Sequence, residues 1–116
     1  DGDRLDGLRR MGLDELSFRK GHHYISVIVD HDAGRLVWAG EGRTSDTIAQ
    51  FFEELGTERA AAITLATIDM SAGYEAALRK YAPNAEIVFD RFHVQRLAHD
   101  ALDEVRREIM RELKGT

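Results

Sequence analysis

Residues 11–39, MGLDELSFRKGHHYISVIVDHDAGRLVWA, carry the strongest fold signal in the chain. Three stretches have strand character: 11–18, 23–29 and 35–39. The second is rich in β-branched and aromatic side chains, which fit a pleated, half-buried surface. The joints between them are short. DHDAG at 30–34 carries the Asp and Gly of a hairpin turn. RKGH at 19–22 also contains a glycine and is too short to hold a helix. Two tight connections in succession make an antiparallel meander.

Downstream the period changes. Ser45 is placed as an N-cap, and the apolar residues Ile48, Phe51, Phe52 and Leu55 follow at i, i+3, i+4 and i+7, the stripe of a helix that buries one face. Gly56 is placed to end it. A short turn of helix at 58–62 leads into a strand at 63–68 (ITLATI). A helix over 71–81 sets Tyr74, Leu78 and Tyr81 on one side and stops before Pro83. Residues 86–89 (EIVF) make a short apolar strand, and 92–113 a long final helix with Leu97, Ala101, Val105 and Ile109 along one stripe. The first ten residues are polar and read as a leader or edge segment. No linker or repeat divides residues 1–116, so a single domain is expected.

The order β-β-β-α-β-α-β-α predicts an α/β fold. Its mixed five-stranded sheet has a three-stranded antiparallel meander, then two βαβ crossovers, with helices on both faces. The RNase H-like fold has this order. A ferredoxin-like fold needs β-α-β-β-α-β, and a flavodoxin-like fold needs a helix directly after the first strand.

Composition sets outer bounds. A hydrophobic share of 43% and a charged share of 32% are those of a folded globular chain. No apolar run reaches the roughly 20 residues of a membrane span, and the charged first residues are unlike a secretory signal. Cysteine is absent, which excludes disulfides and thiolate metal sites and makes the cytosol the default compartment. The net charge of −5 runs against the basic surplus of most nucleic-acid binders. An acidic metal site would itself add to that negative count.

Two carboxylates stand out. Asp14 lies inside the first strand, between Leu13 and Leu16, and Asp69 directly follows Ile68 at the end of the fourth. In the expected sheet these strands are parallel neighbours, which brings together two acids far apart in sequence. Paired anions call for a cation between them, and hard oxygen donors suit Mg²⁺ or Mn²⁺. The plainer alternative makes Asp69 the cap of the next helix and Asp14, with Glu15, a solvated edge. Asp90 and His93 form a D-x-x-H unit after the fifth strand. Asp90 also reads as the N-cap of the last helix, with His93 bonded within its first turn; a capping carboxylate can still organise a metal site from behind its ligands. His22 and His23 stand roughly 23 Å from Asp30, His31 and Asp32 at about 3.3 Å per residue, so the two groups cannot share a metal and read as exposed loop residues. His99 reads as a surface residue. Arg19, Lys20 and Arg43 border the loops and could meet phosphates, though solvated basic loops are the commoner case.

The stretches GLDELSFRKGHHY, GEGRT and IDMSAGYEAALRKYAPNAEIVFDRFHV resemble the DDE transposases of the ISL-three group of bacterial insertion sequences. The resemblance runs from about Met11 into the last helix, and Asp-Met-Ser followed by Phe-Asp-Arg-Phe-His-Val is its most specific block. It implies metal-dependent DNA cleavage and strand transfer, with Asp14 and Asp69 as the first two catalytic, metal-binding acids, Mg²⁺ or Mn²⁺ as cofactor, DNA as partner and a multimeric protein. The group's third acid is a glutamate on a later helix, beyond an inserted segment. Glu104, Glu108 and Glu112 read as the polar face of the last helix and are not assigned to it, so the chain is expected to be a catalytic-domain fragment, inactive alone. The final helix is expected to seek a partner through its apolar stripe. Two other readings stay open: an RNase H-like nuclease without strand transfer, and a non-catalytic domain used for self-association.

Overall fold

The computed structural model describes residues 5–18, 23–68, 74–90 and, beyond them, 96, 99–100, 102–104, 106–107 and 111. The meander forms as the sequence predicts: β1 (Arg10–Phe18), β2 (His23–Asp30) and β3 (Arg35–Glu41). It is followed by α1 (Ser45–Leu55), α2 (Thr57–Ala61), β4 (Leu65–Ile68), α3 (Glu75–Tyr81) and β5 (Glu86–Phe89). These strands make one sheet in the order β3-β2-β1-β4-β5. β1 is central. It runs antiparallel to β2 and parallel to β4, and β4 is parallel to β5. The expected five-stranded mixed sheet is thus present, with β1 beside β4.

Alternation along the strands sorts the side chains onto two faces. Met11 and Leu13 of β1, Ile28 of β2, and Ala66 and Ile68 of β4 join Ile48, Phe51, Phe52 and Leu55 of α1 and Ala77 and Leu78 of α3 in the main core. The helical stripe read from the sequence is what α1 buries. Trp38, Phe51, Phe52 and Tyr81 form a run of ring contacts at 5.5, 4.9 and 5.4 Å that links β3 through α1 to α3. A register shift between Ile28 and Val29 lets β3 send both Val37 and Trp38 into this core. The other face of the meander carries a smaller cluster, Val27 and Val29 with Ile25 and Leu36 against them.

Several local expectations are corrected. Leu5 and Leu8 are buried in the main core, so residues 5–8 are more than a polar edge; two leucines among charges suffice to fasten them. Arg59 helps, pairing with Asp6 at 3.0 Å while bonding the carbonyls of Leu55 and Glu54. The N-cap of α1 is Thr44, not Ser45, and it caps without a side-chain bond. The strand expected at 63–68 begins at Leu65, because Ile63 still belongs to the turn that closes on Ala60. α1, α2 and α3 share one core. The expectation of helices on both faces therefore rests on the last segment. Its described positions are helical, with His99 and Glu104 exposed, but the stripe Leu97, Ala101, Val105 and Ile109 lies outside the described residues.

Phe51 is fully buried and sits between two aromatic neighbours. Phe51→Ala should therefore cost about 3–5 kcal/mol, the range for a large-to-small change at an aromatic core site. Urea unfolding checks this; a loss under about 1 kcal/mol would mean that the described core is packed differently.

Candidate active site

β1 carries two carboxylates back to back. Alternation sends Leu13 and Glu15 to the helical face, and Gly12 and Asp14 to the other. Asp14 is 6% exposed and pairs across the ladder with Val27, itself buried. The solvated-edge alternative for Asp14 is thereby excluded. A buried carboxylate on a mostly apolar face costs free energy unless hydrogen bonds or a cation compensate it.

Below Asp14 the face is set by Gly12. A Cβ there would come within 2.9 Å of Val29 Cγ2 and 3.2 Å of the His31 ring. The space is used by His31, whose Nε2 lies 3.2 Å from Thr67 Oγ1 on β4. His31 is half-buried, and Asp30 is buried, so neither is the exposed loop residue expected from the sequence. The physical reason is the turn. Asp30 Oδ1 accepts the backbone N–H groups of Asp32 and Ala33 at 2.8 and 3.1 Å, and the His31 N–H donates to the Arg10 carbonyl. Only Asp32 faces solvent, paired with Arg10 at 3.0 Å.

On the opposite face, behind Asp14, lies a polar cluster that sequence reading missed. Ser26 Oγ donates to the Gly42 carbonyl at 2.8 Å and stands 2.8 Å from Tyr74 Oη. With the serine proton directed at Gly42, the tyrosine donates to Ser26. Glu15 Oε2, at 3.4 Å, is the longer, alternative acceptor for the single Tyr74 proton. Glu15 Oε1 in turn meets Arg43 Nη1 at 3.9 Å, and the Arg43 guanidinium lies 3.8 Å over the Tyr24 ring. Arg43, read above as a possible phosphate contact, thus already has two protein neighbours. Burial pushes the Tyr74 phenol up to about 12, and the Glu15 and Asp14 carboxylates add to the shift.

The parallel ladder ends at the pairs Leu13↔Ile68 and Ile68↔Phe89. In sequence, Asp14, Asp69 and Asp90 directly follow Leu13, Ile68 and Phe89. The Asp90 N–H donates to the Ile68 carbonyl at 3.0 Å, which holds this exposed acid at the ends of β4 and β5. Asp69 and His93 lie outside the described residues, as do Arg19, Lys20 and His22. Among the described residues, no three of His, Cys, Asp or Glu gather as a metal site. No described helix is long and apolar enough to cross a membrane.

Residues 11–116 match the family model described as transposase, the DDE family of the ISL-three group. The chain belongs to this family of DDE transposases. It is 42% identical over 113 residues to the transposase for insertion sequence element IS1557 of Mycobacterium tuberculosis, covering 97% of this chain and 26% of that protein. It is 36% identical over 105 residues to the transposase for insertion sequence element IS1001 of Bordetella parapertussis, covering 90% of this chain and again 26% of the relative. The chain thus spans about a quarter of the curated transposases it matches. Among solved structures, the catalytic core domain of BIV integrase shares the fold, with a TM-score of 0.60, 15% identity, and coverage of 95% of this chain and 74% of that one. The RNase H-like expectation is borne out by that likeness and by the strand order.

Two consequences can be measured on the chain itself. The Tyr74 phenol is raised above its unfolded value of 10.0, so the stability it contributes is present below pH 10 and is lost as the pH rises towards 12. The gap corresponds to roughly 2–3 kcal/mol. Phenolate absorbance of the native chain minus that of Tyr74→Phe should grow in only near pH 12; a difference complete by about pH 10.5 would contradict the burial. Gly12→Ala should crowd His31 away from Thr67 and cost about 1–3 kcal/mol, the range for overpacking. A crystal structure of this variant with the His31–Thr67 contact intact would refute that.

Proposed function

We propose that the complete protein is a DDE transposase that cleaves transposon ends and joins them to target DNA, and that Asp14 and Asp69 are its first two catalytic, metal-binding acids. The observation that carries this reading is the ladder. Its last β1–β4 pair stops one residue short of Asp14 on one strand and of Asp69 on the other. Continued by a single residue, the same register would set these acids side by side on strands about 4.8 Å apart. The burial of Asp14 supports the same reading, since a divalent cation relieves the repulsion and desolvation of two close carboxylates.

The donor set fits Mg²⁺ or Mn²⁺: carboxylate oxygens, and no cysteine in the chain. Bound there, such an ion supplies Lewis-acid polarisation of a phosphodiester and a water of lowered pKa. The chain's own residues do the rest. β1 is fixed by the main core, so the acid it carries, Asp14, is held without reorganisation. Asp90 belongs at the margin of this site, with His93 three residues on, as groups that orient the ligands rather than hold the ion. A third acid, a glutamate in this family, would complete the set. DNA is the substrate, the working form is a homo-oligomer, and the compartment is the cytoplasm.

The test is a cleavage and strand-joining assay on the complete transposase with transposon-end DNA and Mg²⁺ or Mn²⁺. Asp14→Asn and Asp69→Asn should each lower both steps by more than about 100-fold, beyond the loss typical of groups that only orient a metal ligand. Either variant retaining near-normal joining would sink the assignment. Cleavage without any joining by the wild type would point instead to an RNase H-like nuclease.

A further inference from the structure

Arg43 follows Gly42, and Gly42 is pinned to β2 at both of its backbone polar groups. Its N–H donates to the Tyr24 carbonyl at 2.8 Å, and its carbonyl accepts the Ser26 hydroxyl at 2.8 Å. The backbone there takes φ 104°, which suits glycine, and a Cβ would meet Thr47 Oγ1 at 2.6 Å. This fixes where the next residue starts, and Arg43 is carried back over Tyr24, its guanidinium 3.8 Å from the ring centre. Such a stack holds the side chain without using its N–H groups. Arginines elsewhere spend theirs on carboxylates: Arg10 on Asp32 at 3.0 Å, Arg59 on Asp6 at 3.0 Å and Arg79 on Glu75 at 2.6 Å. Among the described residues the carboxylate beside Arg43 is Glu15, whose Oε1 is 3.9 Å away, beyond hydrogen-bond distance. Half of the arginine side chain is exposed. A cation is thus held in a fixed pose at the surface, with its donor fork bonded to no described residue.

Its position bears on the site. Glu15 directly follows Asp14 on β1. Glu15 faces the helical side and Asp14 the other, so Arg43 flanks the acid along the strand without facing it. We propose that Arg43 grips a backbone phosphate of the DNA substrate, one that flanks the phosphate being cut, and that Tyr24 is the platform that holds it ready. The inference rests on the reading of DNA as substrate, and not on which residues hold the metal. The guanidinium fork matches two phosphate oxygens and keeps its charge. A side chain already ordered gives up little freedom when the phosphate arrives. The contact also supplies locally the attraction that a net charge of −5 withholds overall.

The experiment measures binding of transposon-end DNA by the complete transposase without divalent cation, so that metal ligation does not enter. Dissociation constants are taken over a range of salt, and then with neutral methylphosphonate linkages placed one at a time around the cut site. Arg43→Ala should weaken binding about tenfold and reduce the slope of log affinity against log salt by about one. One methylphosphonate should weaken the wild type by a similar factor and have no further effect on Arg43→Ala, as expected of two groups that act as a pair. Tyr24→Leu should weaken binding about threefold. Arg10→Ala, at the other end of β1, should leave affinity and slope unchanged. Circular dichroism checks each fold; should Arg43→Ala fail to fold, Arg43→Gln decides by the same criterion. Wild-type affinity and slope in the Arg43 variant overturn the proposal, as does a methylphosphonate profile identical to that of the wild type or an equal loss in Arg10→Ala. A wild-type protein that does not bind transposon-end DNA overturns the reading of DNA as substrate, and this inference with it.

Discussion

Four residue pairs, Arg10↔Leu65 to Leu13↔Ile68, join the antiparallel meander to the parallel half of the sheet. Everything else depends on that short parallel contact. β1 and β4 are separated by two strands and two helices, so the pairing closes a long loop and needs burial to offset the closure. The burial is there: Met11, Leu13, Ala66 and Ile68 are all fully covered on the helical face. Because side chains alternate along a strand, fixing those apolar residues inward also fixes Gly12, Asp14 and Thr67 on the other face. A slip by one residue would exchange the two sets, so the core that stabilises the fold also fixes which face Asp14 takes.

The two faces of β1 then divide the work. Asp14 stands on the face of the smaller apolar cluster, where a cation would compensate its charge. Glu15, its neighbour in sequence, is turned into the network of Tyr74, Ser26 and Arg43. The Glu15–Arg43 pair is half-exposed and long, so its own stabilising effect is small. The buried Tyr74–Ser26–Gly42 chain matters more, because every hydroxyl in it must find a partner or weaken the core.

The sheet order and the placement of Asp14 were legible in the sequence because both follow from periodicity. Alternation marks strands, the 48–51–52–55 stripe marks α1, and a lone aspartate amid apolar strand residues is conspicuous. What escaped depends on contacts between distant segments. Leu5 and Leu8 sit among charged neighbours and give no periodic signal, yet they enter the core. His31 lies in a turn and is carried back over Gly12 by the Asp30 carboxylate. Tyr74 reads as one more member of an apolar stripe, and nothing local tells that its hydroxyl reaches Ser26, 48 residues away. The doubling of Val37 and Trp38 into the core comes from a register shift that alternation alone does not foresee.

If the β1–β4 ladder brings Asp14 and Asp69 to one cation, anomalous diffraction from crystals of the chain soaked in Mn²⁺ will locate it. A manganese peak with both carboxylates at coordination distance, about 2.0–2.2 Å, is the expected result. A peak held by other residues, or Asp14 and Asp69 on opposite faces of the sheet, would contradict it.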